Sequence, residues 1–310
     1  MSIPSKGTSS FFRRTGAVQG SLVGCLWTIL ASLLFTVMVA LIKELGQNLH
    51  VAQIIFIRQM IMMLVAAPIL FHSLPHSLHT NYPGLHALRI ILASTAMLAG
   101  FTAVVHLPIA EATAIGFSRS FFITLLAIFF LGEVVGKHRW AATIIGFIGI
   151  IIILRPTGEG ALTYYGLLSV LAAACAAAVT ITVRKLGQHE SATTILSYQA
   201  TFVGLVMLGP TIWYWTTPTF MEVGLLLATG LVSWAGQMSN IKAQQNGEAN
   251  VLASLDYIRL LFAGFIGWYF FSEVLDIPTL IGSAIIICAA LYTLRREARL
   301  RRQTTPMDGP

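Results

Sequence analysis

The chain has 310 residues, of which 56% are hydrophobic and only 10% are charged. Soluble domains carry roughly 25% charged residues, so this composition excludes an ordinary soluble domain and predicts a protein embedded in lipid. The formal net charge of +7 invites a nucleic-acid role, but the positions of the basic residues along the chain argue against it.

Ten apolar runs follow one another along the chain, joined by short connections that leave no room for a soluble domain. A transmembrane helix needs roughly 20 apolar residues, and these runs meet or approach that length. Residues 1–19 are polar and basic and lack the apolar core of a signal peptide, which predicts an uncleaved first helix. The predicted spans are residues 20–42, 51–71, 86–106, 108–131, 138–154, 163–183, 193–215, 222–241, 249–271 and 277–294.

The second half of the chain repeats the first half with an offset of roughly 140 residues. Lys43–Gln47 returns as Arg184–Gln188, and Phe130–Val134 returns as Phe270–Val274. Each copy carries five spans, an odd number, so the second copy must enter the membrane from the opposite face. Inverted repeats of this kind are typical of secondary transporters, whose substrate site lies near the midplane between the repeats.

The predicted fold is therefore an all-α integral membrane protein with ten transmembrane helices arranged as two inverted five-helix repeats. The first repeat covers 20–156 and the second 163–294, between a basic N-terminus (1–19) and a basic tail (295–310). Of the nineteen Lys and Arg residues, thirteen lie at one set of span ends, two at the other and four within spans. This positive-inside distribution predicts cytoplasmic termini in a bacterial inner membrane. The tail then faces anionic lipid rather than nucleic acid.

The ninth span carries the strongest candidate site. A charge inside a bilayer costs at least a few kcal/mol, so each one is a functional hypothesis by default. Asp256 and Arg259 lie three residues apart on neighbouring helix faces, and Arg119 lies at the related position of the fourth span. The pair is either an internal salt bridge that only locks helices or part of an ionic substrate site or gate. Asp256 is the best proton-carrier candidate, since we expect it to be the deepest and most desolvated carboxylate.

Glu111 and Glu248 begin the fourth and ninth spans on opposite sides of the membrane. One interpretation is that these first-turn carboxylates complement the helix dipoles, each contributing under about 1 kcal/mol. The other is that they are titratable groups in two symmetric vestibules, able to couple transport to protons.

Neutral polar residues form a second candidate set. Trp234 lies on the eighth span beside a polar face formed by Ser233, Gln237 and Asn240. Amide side chains without hydrogen-bond partners are costly in lipid. This face is therefore expected either to line a cavity or to contact another helix. Arg58 is about eight residues into the second span, too deep for its charge to reach the interface easily. It lines a cavity or makes a hydrogen bond between helices.

Other polar residues predict no chemistry. Cys25, Cys175 and Cys288 are far apart and are expected to be small packing residues, and the histidines of loop 72–79 lack metal-site spacing. We therefore predict no metal and no cofactor. The sequence contains no nucleotide-binding or hydrolase motif, so we predict that the protein is not an enzyme. Arg89 is near its span end and is expected to extend to the interface.

Two stretches and one arginine carry a resemblance to a known family. The stretches are Leu107–Ile115 (LPIAEATAI), continuing to Leu131–Glu133, and Gly146–Gly149, running into Leu154–Pro156; the arginine is Arg58. Over nearly the whole chain these residues resemble the EamA group of the drug/metabolite transporter superfamily. The resemblance implies a ten-helix inner-membrane carrier with a central cavity between its halves, for amino acids, nucleobase-like or vitamin-like compounds and other small metabolites.

The chain departs from the family pattern at three places. Ser120 stands where the family commonly has proline, so the sequence alone does not predict a helix break there. Ser272 replaces the glycine before Glu273, and Leu107–Pro108 has no counterpart at Gln244–Gln245. The two halves are therefore not equivalent.

The predicted function is transport of a small polar metabolite by alternating access, more often outward, driven by protons or by simple facilitation. A cavity with Arg119, Arg259 and Asp256 suits an amino acid or an amino-acid-derived compound such as an opine-type metallophore. The alternative is an importer of a vitamin-like or nucleoside-like compound, with an aromatic cavity around Trp234, Tyr257 and Tyr198. The second alternative is a membrane scaffold that transports nothing.

The alanine-rich run at 171–178 predicts close helix packing or the face of a homodimer.

Overall fold

The computed structural model describes residues 9–71, 80–131, 137–154, 160–190, 192–247 and 249–304. All regular structure in these ranges is α-helical. The helices are α1 (Ser9–Leu45), α2 (Val51–Phe71), α3 (Pro83–His106), α4 (Ile109–Gly116), α5 (Arg119–Leu131), α6 (Lys137–Leu154), α7 (Gly160–Leu186), α8 (Ala192–Trp213), α9 (Phe220–Asn246), α10 (Ala249–Leu255), α11 (Ile258–Phe271) and α12 (Ile277–Thr304).

These helices supply the ten predicted spans when α4 with α5, and α10 with α11, count as one span each. Six are long and apolar enough to cross a membrane: α1, α3, α4 with α5, α7, α10 with α11, and α12. Shorter apolar helices lie within α2, α6 and α8. The remaining span, the eighth along the chain, is α9, whose C-terminal half contains several amides and Lys242. The all-α multi-pass fold predicted from the sequence is confirmed.

The fourth and ninth spans are both interrupted by a tight turn at the same place in the repeat. The first turn is at Phe117–Ser118 and the second at Asp256–Tyr257. In both turns the backbone changes from i→i−4 to i→i−3 hydrogen bonds, as in Ser118 N to Ile115 O (2.9 Å) and Arg259 N to Asp256 O (3.0 Å). Such tightening in mid-helix often marks a functional hinge. Both turns form without the proline that the family resemblance led us to look for at Ser120.

The two repeats are interleaved rather than placed side by side. Helix α1 packs along α9 and α3 packs along α7, and these two pairs are related by the repeat. Helices α2 and α8 pack together, as do α6 and α12, so each of these four pairs joins one repeat to the other. Because each copy has an odd number of spans, the two copies run in opposite directions through the bundle.

Small residues allow the closest helix crossings, as expected where packing rather than hydrophobicity holds membrane helices together. Helices α6 and α12 cross at Gly149 and Gly282. A Cβ added to Gly282 would lie 2.6 Å from the Gly149 carbonyl oxygen, and one added to Gly149 would lie 2.9 Å from the Gly282 oxygen. Gly24 meets the backbone of Gly247 in the same way.

Polar contacts fix the loops at the two ends of the bundle. At one end Gln53 exchanges hydrogen bonds with the backbone of Thr216 (2.7 and 3.1 Å), and Asn48 donates to Glu222 (3.0 Å). At the other end Glu190 accepts from Thr80 and pairs with His86 Nε2 at 2.5 Å. Each cluster joins a loop of one repeat to the start of a helix of the other.

One detail differs from the sequence-based predictions. Arg89 does not extend to the interface: it is 3% exposed and donates to the Ile195 carbonyl (2.7 Å) and to Gln199. The guanidinium of Arg89 stays buried because carbonyl and amide oxygens on α8 accept its hydrogen bonds there. Helix α12 continues to Thr304, into the segment expected to be a tail. The histidines of 72–79 lie outside the described residues.

We predict that an added methyl group where α6 crosses α12 destabilises the protein. In Gly282→Ala the new Cβ would lie 2.6 Å from the Gly149 oxygen, and overpacking of this kind costs about 1–3 kcal/mol. Gly224→Ala is the matched control, because a Cβ there meets nothing within 4 Å and alanine favours a helix. Thermal unfolding in detergent should show a lower Tm for Gly282→Ala alone. Equal Tm values would contradict the close crossing.

We also predict a pH-dependent contribution from Glu190. Burial raises the pKa of this carboxyl, but hydrogen bonds from Thr80, His86 and the Asn81 backbone outweigh it, so the pKa lies below the usual value of 4.5 for a glutamate. The contact therefore adds stability above pH 4.5 that is lost as the pH falls through the folded pKa. A hydrogen bond to a charged group contributes about 1.5–3 kcal/mol.

Tm measurements on wild type and Glu190→Gln should therefore differ at pH 7 and converge when the pH falls well below 4.5. A difference that persists unchanged in acid would show that the carboxylate charge is not what stabilises this loop.

Candidate functional site

A cavity of about 850 Å³ lies in the middle of the bundle, between the two repeats. Residues from α1, α3, α7, α9 and α12 form its walls, and both tight turns face it. Its volume falls in the range of small-molecule sites. Its polar and charged lining residues are Thr113, Arg119, Ser120, Thr124, Ser169, Arg184, Gln237, Asn240, Gln244, Asp256, Tyr257, Arg259 and Thr293.

The turn of the ninth span places a carboxylate in the cavity wall. Asp256 Oδ1 accepts from Ser32 Oγ of α1 (3.0 Å) and from Arg259 Nη2 (2.9 Å). The Arg259 guanidinium also lies 5.1 Å from the centre of the Phe35 ring. The predicted Asp256–Arg259 pair is thus present. It is also accessible, since the Asp256 side chain is 39% exposed and so less desolvated than the sequence led us to expect.

The turn of the fourth span adds an arginine beside this pair. Arg119 is the first residue of α5, is exposed and lines the cavity. It lies within electrostatic reach of Arg259, Asp256 and Tyr257. The two turns touch, because the rings of Phe117 and Tyr257 lie tilted against each other with their centres 4.6 Å apart. The repeat thus brings the three predicted mid-depth charges into one cluster with two positive charges and one negative.

The polar stripe of α9 divides between two environments. Gln237 and Asn240 line the cavity, and Gln244 extends the same face. Ser233 is 1% exposed and donates to the Thr229 carbonyl (2.6 Å) in its own helix. Trp234 is not among the lining residues. The cavity therefore meets the C-terminal half of this helix, which explains the amides there.

Arg58 lies behind the cavity wall rather than in it. Its Nη1 is 3.4 Å from the Met38 sulfur and 3.5 Å from Ser233 Oγ, and its Nη2 is 3.9 Å from the Met97 sulfur. The Phe101 ring centre is 5.5 Å from the guanidinium carbon. Thioethers are weak acceptors, and no ion pair joins Arg58 to any residue that the structure describes.

The structure describes one of the two candidate coupling carboxylates at the span ends. Glu111 lies in the first turn of α4, half-buried and outside the cavity lining. Glu248 lies outside the described residues. Of the three carboxylates considered for proton coupling, Asp256 alone faces the cavity within the described part of the chain.

Sequence reasoning missed an ion pair that joins the repeats at one end of the cavity. Lys43 Nζ lies 2.7 Å from Glu273 Oε1 and donates to the Leu107 carbonyl (2.5 Å). Glu273 Oε2 accepts from the backbone N–H of Ile109 (2.8 Å). The alignment of Lys43 with Arg184, and of Glu273 with Glu133, was the available signal. Nothing in the sequence indicated that partners come from opposite copies.

The backbone before Glu273 adopts a conformation suited to this pairing. Ser272 has a φ of 54°, in the left-handed region, where the first repeat has glycine. This turn brings Glu273 N within 3.0 Å of the Gly267 carbonyl. A Cβ on Gly267 would lie 2.3 Å from Glu273 Oε2, so the carboxylate lies against the bare backbone of α11.

Comparison with known proteins identifies the family. The family model described as the EamA-like transporter family matches residues 22–155 and again 163–295. The chain is 30% identical to the S-adenosylmethionine uptake transporter of Rickettsia felis, over 91% of this chain and 96% of that protein. It is 30% identical to the pseudopaline exporter CntI of Pseudomonas aeruginosa, over 88% and 96%.

A third relative, the riboflavin transporter of Rhizobium johnstonii, is 30% identical over 91% of this chain and 94% of that protein. A solved crystal structure aligns with a TM-score of 0.61 over 90% of this chain and 99% of its own, at 17% identity, which supports the fold. The match to two copies of one transporter model confirms the predicted family and excludes an enzyme. The chain is a multi-pass membrane protein that transports a small metabolite, and it belongs to the EamA-like transporter family.

Proposed function

We propose that this transporter exports a small metabolite bearing a carboxylate, such as an amino acid or an amino-acid-derived opine-type metallophore. The observation that carries the proposal is the cavity-exposed Arg119 beside the Asp256–Arg259 pair. With two guanidinium groups and one carboxylate, this cluster has one excess positive charge. In a cavity of low dielectric an anionic group of the substrate is the natural counter-charge.

The same cluster suits a zwitterion. A substrate carboxylate would pair with Arg119, since no ion pair occupies that guanidinium among the described residues. A substrate ammonium would approach Asp256, whose side chain is exposed to the cavity. Gln237 and Asn240 on the facing helix supply neutral hydrogen-bonding groups that fix orientation.

The mechanism we propose is alternating access, with the described conformation open to the cytoplasm. In the topology predicted from positive charge, the C-terminal ends of α7, α9 and α12 face the cytoplasm. The cavity reaches Arg184 and Gln244 near two of those ends, and Thr293 at the end of the predicted tenth span. The opposite end is held by the Lys43–Glu273 pair, which we take as the outer gate. Breaking that pair, while the cytoplasmic end closes, would expose the same cluster outside.

Asp256 is the proposed proton-coupling group, and Glu111 and Glu248 are secondary candidates. Protonation of Asp256 would remove the charge that holds Arg259 and Ser32. It would also remove the charge that attracts the substrate ammonium. A proton and the substrate would thus exclude each other at Asp256, and this negative coupling is the thermodynamic requirement for export in exchange for protons.

The relatives include both an uptake protein and an exporter. The second candidate function is therefore import of a vitamin-like or nucleoside-like compound. The cavity supports it through its aromatic residues, since Phe35, Phe101, Phe117 and Tyr257 all line the wall and could stack on a flat ring. Membrane lipid and a homodimer partner remain predictions from the sequence.

We predict that metabolite profiling separates these functions. Cells lacking the protein should accumulate a carboxylate-bearing compound that is depleted from the medium. An arginine-to-glutamine change at Arg119 should reduce its export at least about tenfold, because a charge-assisted hydrogen bond is lost. Asp256→Asn should remove the dependence of export on the proton gradient. The matched control is Glu44→Gln, which removes an exposed charge away from the cavity.

If a flat, uncharged compound remained in the medium and was depleted inside the cells, import would replace the export proposal. Unchanged transport in the Arg119 variant would show that the excess charge does not bind substrate.

The proposed outer gate gives a separate prediction. Glu273→Gln leaves Lys43 buried without its counter-charge, and breaking such a pair typically costs about 3–5 kcal/mol. The closed outer end should therefore become less populated. A cysteine at Thr113, in a variant without the native cysteines, should react at least about tenfold faster with an impermeant thiol reagent added outside cells. The same reaction rate in Glu273→Gln and in Glu44→Gln would rule out this pair as a gate.

A further inference from the structure

The strongest feature not used by the central cluster is the environment of Arg58. Its guanidinium is surrounded by the sulfurs of Met38 and Met97, the hydroxyl of Ser233 and the ring of Phe101. Its Nε is buried with no hydrogen-bond partner. Every contact it makes is weak or neutral, so its charge is solvated far less well than those of Lys43 or Arg259, which have carboxylate partners.

The wall between Arg58 and the cavity is thin and made of adaptable side chains. Met38, Met97 and Phe101 contact Arg58 on one side and line the cavity on the other. Methionine is unbranched and flexible, and it adapts to different neighbours at binding surfaces. Rotation of the two thioethers would connect the cavity to the guanidinium without moving a helix.

We propose that Arg58 forms a second anion-binding subsite, which opens when Met38 and Met97 rotate, and that the substrate carries two anionic groups. The inference rests on the proposed function, since it takes Arg119 as the site of the first anionic group. The second group would replace the weak thioether contacts of Arg58 with a charge-assisted hydrogen bond. Ser233 lies within 3.5 Å of the guanidinium and could join in binding that group.

The second subsite also determines specificity. A metabolite with one carboxylate would leave Arg58 with its present neighbours and would gain nothing there. A metabolite with two carboxylates, or a carboxylate and a phosphate, would bind both arginines across the α1–α3 side of the cavity. A metabolite with one anionic group would leave the buried charge of Arg58 without a counter-charge. A buried polar group left unpaired rejects the wrong ligand more strongly than a missing apolar contact does.

The test uses charged thiol reagents on purified protein, so it does not depend on transport. Met97→Cys in a variant without the native cysteines places a thiol beside Arg58 and the cavity. We expect an anionic sulfonate-bearing thiosulfonate to react faster than a cationic trimethylammonium-bearing one. Arg58→Gln should reduce this rate ratio at least about fivefold, because one nearby positive charge attracts the anionic reagent and repels the cationic one. Arg58→Lys keeps the positive charge and should retain the ratio.

Arg259→Gln is the comparison variant, since that guanidinium already pairs with Asp256 and its loss should change the ratio less. Tm measurements identify any variant that fails to fold. If Arg58→Gln does not fold, Arg58→Met replaces it, because methionine removes the charge but keeps an unbranched side chain among the thioethers. An equal ratio in the parent Met97→Cys protein and in the folded uncharged variant would overturn the anion subsite. A transported compound with one anionic group or none would overturn the substrate class, whereas unchanged metabolite profiles would count against the transport proposal alone.

Discussion

The cost of placing a charge in the membrane interior organises this structure. An unpaired ion there costs several kcal/mol, so a buried cation with a good acceptor is far more stable than one without. Two buried cations have acceptors in the other repeat: Lys43 pairs with Glu273, and Arg89 donates to the Ile195 carbonyl and Gln199. The neutral donor Ser32 likewise bonds to Asp256. These bonds hold the two copies together, while close glycine crossings bring their backbones into contact.

The central site follows from the repeat. One local feature, a tightened turn in the fourth span of each copy, occurs twice and brings Phe117 against Tyr257. Yet the copies carry different charges, with Arg119 near one turn and Asp256 with Arg259 at the other. Symmetry of the backbone thus supplies the position of the cavity, and asymmetry of the side chains supplies its chemistry. This division is consistent with related proteins of similar length being named for different metabolites.

Much of this architecture could be predicted from the sequence. Ten spans and the repeat follow from run length and internal similarity, and Arg119, Asp256 and Arg259 stood out because charge is costly in lipid. Contacts between copies could not be predicted in the same way. Arg89 was misplaced because its acceptors lie over one hundred residues away on α8. Arg58 was recognised as unusual, but only the packing of α1, α2, α3 and α9 shows that thioethers surround it.

The interleaving of the repeats has a consequence for synthesis in the cell. The first copy enters the bilayer before the second has been translated, and at that stage Lys43 lacks its carboxylate partner Glu273 and Arg89 lacks its acceptors on α8. Translation must continue past Gln199 and then Glu273 before both cations are satisfied. The first half is therefore a poorly solvated assembly intermediate rather than an independent domain. A chain that stops between the repeats would be a natural substrate for membrane quality-control proteases.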